Sequence, residues 1–334
     1  MRLARHRIVL DDGHAVGVSV AGRGIPLVVA HGFAAEGLLY TQTLSRLVAQ
    51  GFKVVAVDTA GHGLTGLPPF PSLDLRAYSD ILGRTIDRLG IRRAVLLGHS
   101  MGGRLVADLG AARPELPIAV LPVDAALGRA WDAEVTRLWR SLPVAGPTLL
   151  ARLAADTATT VTLTDTTQAG KLLSLMVRTA AGTIRPHKLL APALALVLAN
   201  DSGPTLHRLA NAGVPTIVLH GEGDMAVPLA AARDVAVRTH GKLVIVHGGR
   251  HCWLLRDPEA LPAIFGDLLK GALGTTLAAA LAAVGLGPDA APAEVERALL
   301  APDALVRALT PQLQVTGAVV RRRPASFVWS VESP

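Results

Sequence analysis

Residues 95–105, VLLGHSMGGRL, place an apolar run directly before a polar turn rich in glycine. The run is typical of a buried strand, and the residues from Met101 onward predict a helix that Pro114 limits. Gly98, Ser100 and Gly102 fit the pattern G-x-S-x-G, in which a sharp strand-to-helix turn pushes a serine hydroxyl out at the top of a sheet. Ser100 is therefore a candidate nucleophile; the alternative is that a strand simply meets a helix here.

Strand-like and helix-like runs alternate on both sides of this stretch. A hairpin is expected first, with its turn at residues 11–13, and short buried strands follow within residues 25–32, 52–63, 93–98, 117–126, 214–224 and 242–249. Helical spacing is seen at residues 38–50 and 257–271. This order predicts an α/β fold, with a mostly parallel, twisted sheet flanked by helices.

The alternation stops between about residues 125 and 212, where helical stretches occur without a convincing parallel strand. We interpret residues 125–212 as a helical cap or lid, inserted into a core made of residues 1–124 and 213–272. Residues 273–334 form a C-terminal extension to which the sequence assigns no function. Within it, residues 292–309 predict two short amphipathic helices and residues 312–330 a strand pair.

A serine hydroxyl is a weak nucleophile, so Ser100 needs a base and a group that orients the base. His251 lies in the loop after the strand ending near residue 249, from which its side chain can reach over the carboxyl edge of the sheet. His220 and His247 lie within strand ends, where packing or backbone hydrogen bonds are more typical. His99 is adjacent to Ser100, and adjacent side chains on such a turn point apart. His251 is the expected base.

The orienting carboxylate is expected one strand before the histidine loop. Asp224 ends the segment TIVLHGEGD, and loops at the same edge of a parallel sheet converge on one crevice. Asp124 ends an earlier strand and is a competitor, and Glu222 is a third candidate. The sequence favours Asp224.

Together these residues resemble the α/β-hydrolase superfamily, in its serine-nucleophile, esterase- and lipase-like branch, over about residues 8–270. Ser100, Asp224 and His251 occur in the order that the superfamily uses. Further matching motifs are His31-Gly32-Phe33, Gly221-Glu222-Gly223-Asp224 with Val227-Pro228, and Asp257-Pro258-Glu259. The resemblance implies the α/β-hydrolase fold and an oxyanion hole formed by the backbone N–H groups of Phe33 and Met101.

The resemblance also implies hydrolysis of carboxylic esters, as in esterases, lipases and lactonases, through an acyl-enzyme. The predicted cap is rich in Leu, Ala and Val, with Trp131 and Trp139 near its start, which favours an apolar substrate. Ser100 argues against the branches that use an aspartate nucleophile. The alternatives are a carbon–carbon bond hydrolase of the meta-cleavage type, a cofactor-free perhydrolase, and a ligand-binding homologue with slow turnover.

The composition of the chain argues against several classes of partner and cofactor. The chain carries a net charge of +7, but its basic residues are scattered apart from residues 321–323, so no nucleic-acid binding is expected. Cys252 is the only cysteine, which excludes an intrachain disulfide, and the N-terminus lacks a secretory signal pattern, so a cytoplasmic location is expected. The histidines show no paired ligand spacing, so neither a metal nor a cofactor is expected.

Residues 272–288 carry no charge but are only weakly apolar, because they are mostly Ala, Gly and Thr. We therefore expect no stable membrane insertion. The expected partners are a small-molecule ester and, through the C-terminal extension, a second copy of the chain.

Overall fold

The computed structural model describes residues 3–33, 35, 40–69, 73–140, 155–156, 170, 186–199, 201–311 and 324–333. Nine strands occur in these ranges: β1 Ala4–Val9, β2 Ala15–Ala21, β3 Ile25–Ala30, β4 Phe52–Val57, β5 Ala94–His99, β6 Pro117–Val123, β7 Ile217–Gly221, β8 Lys242–His247 and β9 Val328–Glu332. They form one sheet in the order β1-β2-β4-β3-β5-β6-β7-β8-β9.

The centre of the sheet is parallel and its two edges are antiparallel. β3 pairs in parallel with β4 and β5, and parallel pairing continues from β5 through β8. The hairpin of β1 and β2 closes one edge, with its turn at the expected residues, and β9 closes the other edge by pairing antiparallel with β8. The predicted fold class, a mostly parallel sheet flanked by helices, is confirmed.

Helices cover both faces of this sheet. Those in the described ranges are α1 Thr41–Val48, α2 Leu75–Arg88, α3 Met101–Ala112, α4 Arg129–Arg140, α5 Pro186–Leu198, α6 Gly203–Asn211, α7 Leu229–Thr239, α8 Trp253–Arg256, α9 Ala260–Lys270, α10 Ala272–Ala282, α11 Pro292–Leu299 and α12 Leu305–Leu309. One apolar cluster contains side chains of α2, α3, α6 and α7, and a second contains side chains of α1, α9, α10 and α11.

The central strand β3 is apolar throughout because both of its faces are buried. In β3, Val28 and Ala30 belong to the first cluster, whereas Leu27 and Val29 belong to the second. Alternate side chains of a strand point to opposite faces, so each face needs its own apolar set. Burial of both faces therefore explains the continuous apolar run from which this buried strand was predicted.

The predicted C-terminal extension contributes to this core. Leu273 and Leu277 of α10 are buried in the second cluster, and β9 is an edge strand of the sheet. Lys53 of β4, 1% exposed, forms an ion pair of 3.0 Å with Glu296 of α11. Removal of one partner of a buried ion pair leaves an uncompensated charge, so this contact ties the extension to the sheet. Of the predicted strand pair, residues 312–323 lie outside the described residues.

The predicted cap, residues 125–212, contains α4, α5 and α6. Of these, α6 packs against α3, and its Leu206 and Leu209 are buried. Residues 141–154, 157–169, 171–185 and 200 lie outside the described residues, so the cap stays a prediction.

No helix within the described ranges is by itself long and apolar enough to cross a lipid bilayer. The consecutive helices α9 and α10 reach that length and apolarity only as a pair, which is bent by 60°.

Candidate active site

Ser100 lies in the turn between β5 and α3, as the G-x-S-x-G pattern predicts. Its backbone has φ 55° and ψ −118°, a region that costs a residue with a side chain about 1–3 kcal/mol. A Cβ atom on Gly98 would lie 2.1 Å from the carbonyl oxygen of Gly102, and one on Gly102 would lie 2.2 Å from that of Ala30. Both glycines are therefore needed, because strand and helix approach too closely for any side chain.

The structure brings the expected base and acid to this serine. His251 Nε2 lies 3.0 Å from Ser100 Oγ, and His251 Nδ1 lies 2.8 Å from Asp224 Oδ2. His251 is 2% exposed, and the Asp224 carboxylate is fully buried. This linear arrangement allows His251 to take the hydroxyl proton while Asp224 holds the other ring nitrogen.

Asp224 is held as an anion by its own loop. Its Oδ1 accepts hydrogen bonds from the backbone N–H groups of Ala226 at 2.7 Å and Val227 at 2.9 Å. Burial would raise the pKa of Asp224, but His251 and these backbone donors outweigh burial and lower it. Asp224 is therefore ionised and orients His251.

The pKa of His251 is shifted in the opposite direction. Burial favours the neutral imidazole, but the charge and hydrogen bond of Asp224 outweigh burial, with smaller contributions from Asp124 and Asp156, and raise the pKa to about 9. Asp224 thus stabilises the imidazolium that forms when His251 accepts a proton.

Phe33 and Met101, the expected oxyanion-hole residues, flank the nucleophile. Met101 is the first residue of α3, and Phe33 follows β3 with its ring edge-on to His62 at 5.9 Å. A Cβ atom on Gly32 would lie 3.1 Å from Ser100 Cβ, so the loop that carries Phe33 lies beside the serine. Their backbone donors remain the predicted oxyanion hole.

Asp124, the competing acid, lies next to the triad without touching His251. It sits at φ 45° and is fully buried. Its Oδ1 accepts the backbone N–H of Gly221 and its Oδ2 accepts the indole N–H of Trp253, both at 2.7 Å. Burial and the charge of Asp224 raise the pKa of Asp124. Asp124 therefore supports the loop that carries the acid and does not orient the base.

Among the described residues, Asp124, His220 and Asp224 have potential ligand atoms within 4.8 Å of one another. Both oxygens of each carboxylate already accept hydrogen bonds from Gly221, Trp253, Ala226, Val227 or His251. A metal ion would compete with those donors, so the cluster fits a hydrogen-bonded support better than a metal centre.

His99 and Tyr40 contribute contacts that the sequence did not indicate. His99 Nε2 lies 2.8 Å from the backbone oxygen of His251, and the Tyr40 hydroxyl lies 2.9 Å from His99 Nδ1. Burial lowers the pKa of His99 to about 3, so the ring is neutral, with Nε2–H donating to His251 and Nδ1 accepting from Tyr40. His99 thus connects the serine turn to the histidine loop, and the centre of its ring lies 4.8 Å from the centre of the His251 ring.

Asp156, from the predicted cap, also contacts the site. Its Oδ2 accepts the backbone N–H of His251 at 3.1 Å, and the residue is fully buried. No motif surrounds Asp156 in the sequence, so no local signal identified it.

The two tyrosines of the chain offer a matched test of the Tyr40 contact. We expect Tyr40→Phe to destabilise the protein by about 1–3 kcal/mol, because it leaves a buried nitrogen of His99 without its donor. Tyr78→Phe should have little effect, because the Tyr78 hydroxyl is buried and lacks a hydrogen-bond partner among the described residues. Urea unfolding of both variants measures the difference, and equal effects would contradict the role of Tyr40.

Comparison with known proteins places the chain in a family. The profile of the alpha/beta hydrolase family matches residues 27–264. A protein of Mycobacterium phage D29 that carries the name non-heme haloperoxidase is 34% identical over 272 residues, which cover 80% of this chain and 94% of that protein. A monoacylglycerol lipase of Mycolicibacterium smegmatis is 28% identical, over 71% of this chain and 84% of the lipase.

Solved structures agree on the fold. The crystal structure of the esterase RhEst1 from Rhodococcus sp. ECU1013 superposes with a TM-score of 0.60 at 22% identity, over 80% of this chain and 99% of the esterase. The family match, residues 27–264, includes the serine turn and the loops of Asp224 and His251, and the phage relative covers 80% of the chain. The chain belongs to the alpha/beta hydrolase family.

Proposed function

We propose that this protein is a serine hydrolase that cleaves carboxylic esters through an acyl-enzyme. The observation that carries the proposal is the hydrogen-bonded series from Ser100 Oγ to His251 Nε2 at 3.0 Å and from His251 Nδ1 to Asp224 at 2.8 Å. Nucleophile, base and orienting acid are in the geometry that acyl transfer needs.

In the proposed mechanism, Ser100 Oγ attacks the ester carbonyl while His251 Nε2 takes its proton. The backbone N–H groups of Phe33 and Met101 would stabilise the oxyanion, a contribution of about a hundredfold or more per donor. His251 then returns the proton to the leaving alcohol, which leaves the acyl group on Ser100. A water molecule, activated by His251, releases the acid and restores the serine.

The relatives support acyl chemistry and an apolar substrate. The mycobacterial relative is named as a monoacylglycerol lipase, and the structural neighbour is named as an esterase. Together with the Leu-, Ala- and Val-rich segment of residues 125–212, these names favour an ester with an apolar acyl or alcohol group. Charged, short esters should be poor substrates.

The test is a series of p-nitrophenyl esters of increasing acyl length, combined with fluorophosphonate labelling followed by intact mass. We expect one fluorophosphonate adduct on Ser100 and turnover that increases with acyl length to an optimum. Activity confined to short, charged esters would contradict the apolar substrate. Labelling without turnover of any ester would contradict ester specificity and favour carbon–carbon bond hydrolysis or slow-turnover ligand binding.

The pH profile tests the role of His251. Only the neutral imidazole can accept the Ser100 proton, so kcat/KM should rise with pH. The acidic limb should have its midpoint above 6.5, the ordinary value, and toward the raised pKa of about 9. Initial rates with a neutral ester from about pH 5 to pH 10, corrected for spontaneous hydrolysis, give this profile. A rate that falls over this range would contradict His251 as the base.

The same shift has a consequence for stability. The pKa of His251 is raised in the folded protein, so the protonated form of His251 stabilises the folded state. This contribution to the free energy of unfolding is fully present below pH 6.5 and is lost as the pH rises through about 9.

The phage relative carries the name haloperoxidase, which indicates a peroxide as a reactant. That name favours a second candidate reaction at the same site, which is perhydrolysis of the ester. Hydrogen peroxide would replace water in the second step, so that the acyl group leaves Ser100 as a peroxy acid. Adding hydrogen peroxide to the ester assay tests this candidate. Formation of peroxy acid at a rate comparable to hydrolysis would support it, and its absence would leave water as the acyl acceptor.

A further inference from the structure

The chain continues past residue 264, where the family match ends, and its last strand returns to the loop that carries His251. β9 pairs with β8, and Val328 is in register with His247, the last residue of β8. His247 Nε2 also forms a hydrogen bond of 2.9 Å with Ser330 Oγ. β9 therefore holds the main chain at His247, which is four residues before His251.

Residues just before β9 contact the segment after His251. The Phe327 ring packs edge-on against Trp253, with ring centres 6.3 Å apart, and the Arg256 guanidinium lies 5.2 Å from the centre of the Phe327 ring. Asp257 Oδ2 accepts hydrogen bonds from Ser326, at 2.6 Å from the backbone N–H and 2.7 Å from Oγ. These contacts fix the chain two to six residues after His251.

Trp253 extends this series of contacts to the acid. Its indole N–H donates to Asp124, and the other oxygen of Asp124 accepts the backbone N–H of Gly221, which leads into the loop of Asp224. Phe327, Trp253 and Asp124 are all buried, with exposures of 8%, 1% and 0%. Phe327 therefore contacts Trp253 directly. Trp253 and Asp124 then connect Phe327 to Gly221, where the loop of Asp224 begins.

We propose that residues 326–332, here called the C-terminal clamp, position His251 for proton transfer, with Phe327 as the central positioning residue. The loop between β8 and α8 begins with Gly248, at φ 67°, and Gly249, and the clamp holds the main chain on both sides of this loop. His251 itself is held within the loop by hydrogen bonds to His99, Asp156 and Asp224. A base displaced by about 1 Å loses about a hundredfold in rate, which is why such positioning affects turnover.

This inference rests on the proposed function, because it assigns His251 the role of base. The test compares Phe327→Ala with wild type in the full chain, with Val237→Ala as the control for removal of an apolar side chain. Val237 lies on α7, outside the clamp, and its side chain is 58% exposed. Phe327→Tyr keeps the ring that contacts Trp253 and Arg256, and Phe327→Leu keeps apolar volume in case the alanine variant fails to fold.

Two measurements are made on each variant. The first is the rate of fluorophosphonate labelling of Ser100, separated into the maximal rate kinact and the inhibitor constant KI. The second is hydrogen–deuterium exchange of residues 248–257, with thermal unfolding as a check that the fold is retained.

Phe327→Ala should lower kinact by about tenfold and leave KI unchanged, because reagent binding does not need an aligned base. Exchange of residues 248–257 should become faster. Phe327→Leu should be intermediate, and Phe327→Tyr and Val237→Ala should match wild type. Unchanged exchange in both Phe327→Ala and Phe327→Leu would overturn the clamp, as would faster exchange with unchanged kinact.

The outcomes separate the clamp from the proposed function. Failure of wild type to label would contradict a reactive Ser100, and exchange of residues 248–257 alone would then decide whether the C-terminal residues restrain the histidine loop. Normal labelling of wild type together with normal labelling of Phe327→Ala would contradict the clamp alone.

Discussion

Ser100→Ala is expected to reduce ester turnover by about ten thousandfold or more. The variant removes the oxygen of the proposed nucleophile, while His251, Asp224 and the predicted oxyanion donors stay in place. Residual catalysis would come from substrate binding and oxyanion stabilisation alone. Initial rates on the preferred p-nitrophenyl ester, with active-site titration of wild type, measure the loss.

Ser45→Ala is the control for this variant. Ser45 lies on α1, where its hydroxyl donates to the backbone oxygen of Gln42 at 2.9 Å, far in the sequence from the triad. It should keep wild-type turnover and one fluorophosphonate adduct, whereas Ser100→Ala should have none. Turnover of Ser100→Ala within about tenfold of wild type would exclude the acyl-enzyme mechanism.

Asp224→Asn should lower kcat by about ten thousandfold with little change in substrate binding. The amide nitrogen cannot accept the Nδ1–H of His251, so the imidazole is held in the wrong tautomer and its positive form loses its counter-charge. The same loss should lower the pKa of His251, because Asp224 is the group that raises it most. Single-turnover kinetics and the acidic limb of the pH profile measure these two effects.

Asp124→Asn is the matched comparison, because Asp124 follows the adjacent strand and its side chain is as fully buried as that of Asp224. It contacts Gly221 and Trp253 and not His251, so its loss should cost no more than about a hundredfold through altered positioning. If Asp124→Asn were the more damaging variant, Asp124 would be the acid that orients His251.

The sequence predicted the serine turn and the positions of the core strands along the chain, because both depend on local patterns. A strand that is buried on both faces is mostly apolar, and a strand that turns sharply into a helix needs glycine where backbones meet. Both requirements are visible in residues 95–105 alone. The same locality explains why the hairpin turn at residues 11–13 was found.

The hydrogen bonds that hold the site residues in place could not be predicted, because they join residues that are far apart in the chain. Tyr40 reaches His99 across 59 positions, and Asp156 reaches His251 across 95. Asp156 belongs to no periodic pattern or spaced motif, and the helical spacing of residues 38–50 does not indicate that the Tyr40 hydroxyl contacts His99. Strand order favoured Asp224 over Asp124, but both residues follow strands that end at one edge of the sheet, so the contact with His251 could be seen only in the structure.

The sequence by itself determined the α/β fold class and the serine turn, because apolar periodicity and the close approach of strand and helix at Gly98 restrict the residues that can stand there. Only the tertiary structure decided that Asp224 contacts His251 and that Phe327 packs against Trp253. Those contacts depend on side-chain direction and on strand pairing between distant segments, which local sequence does not encode.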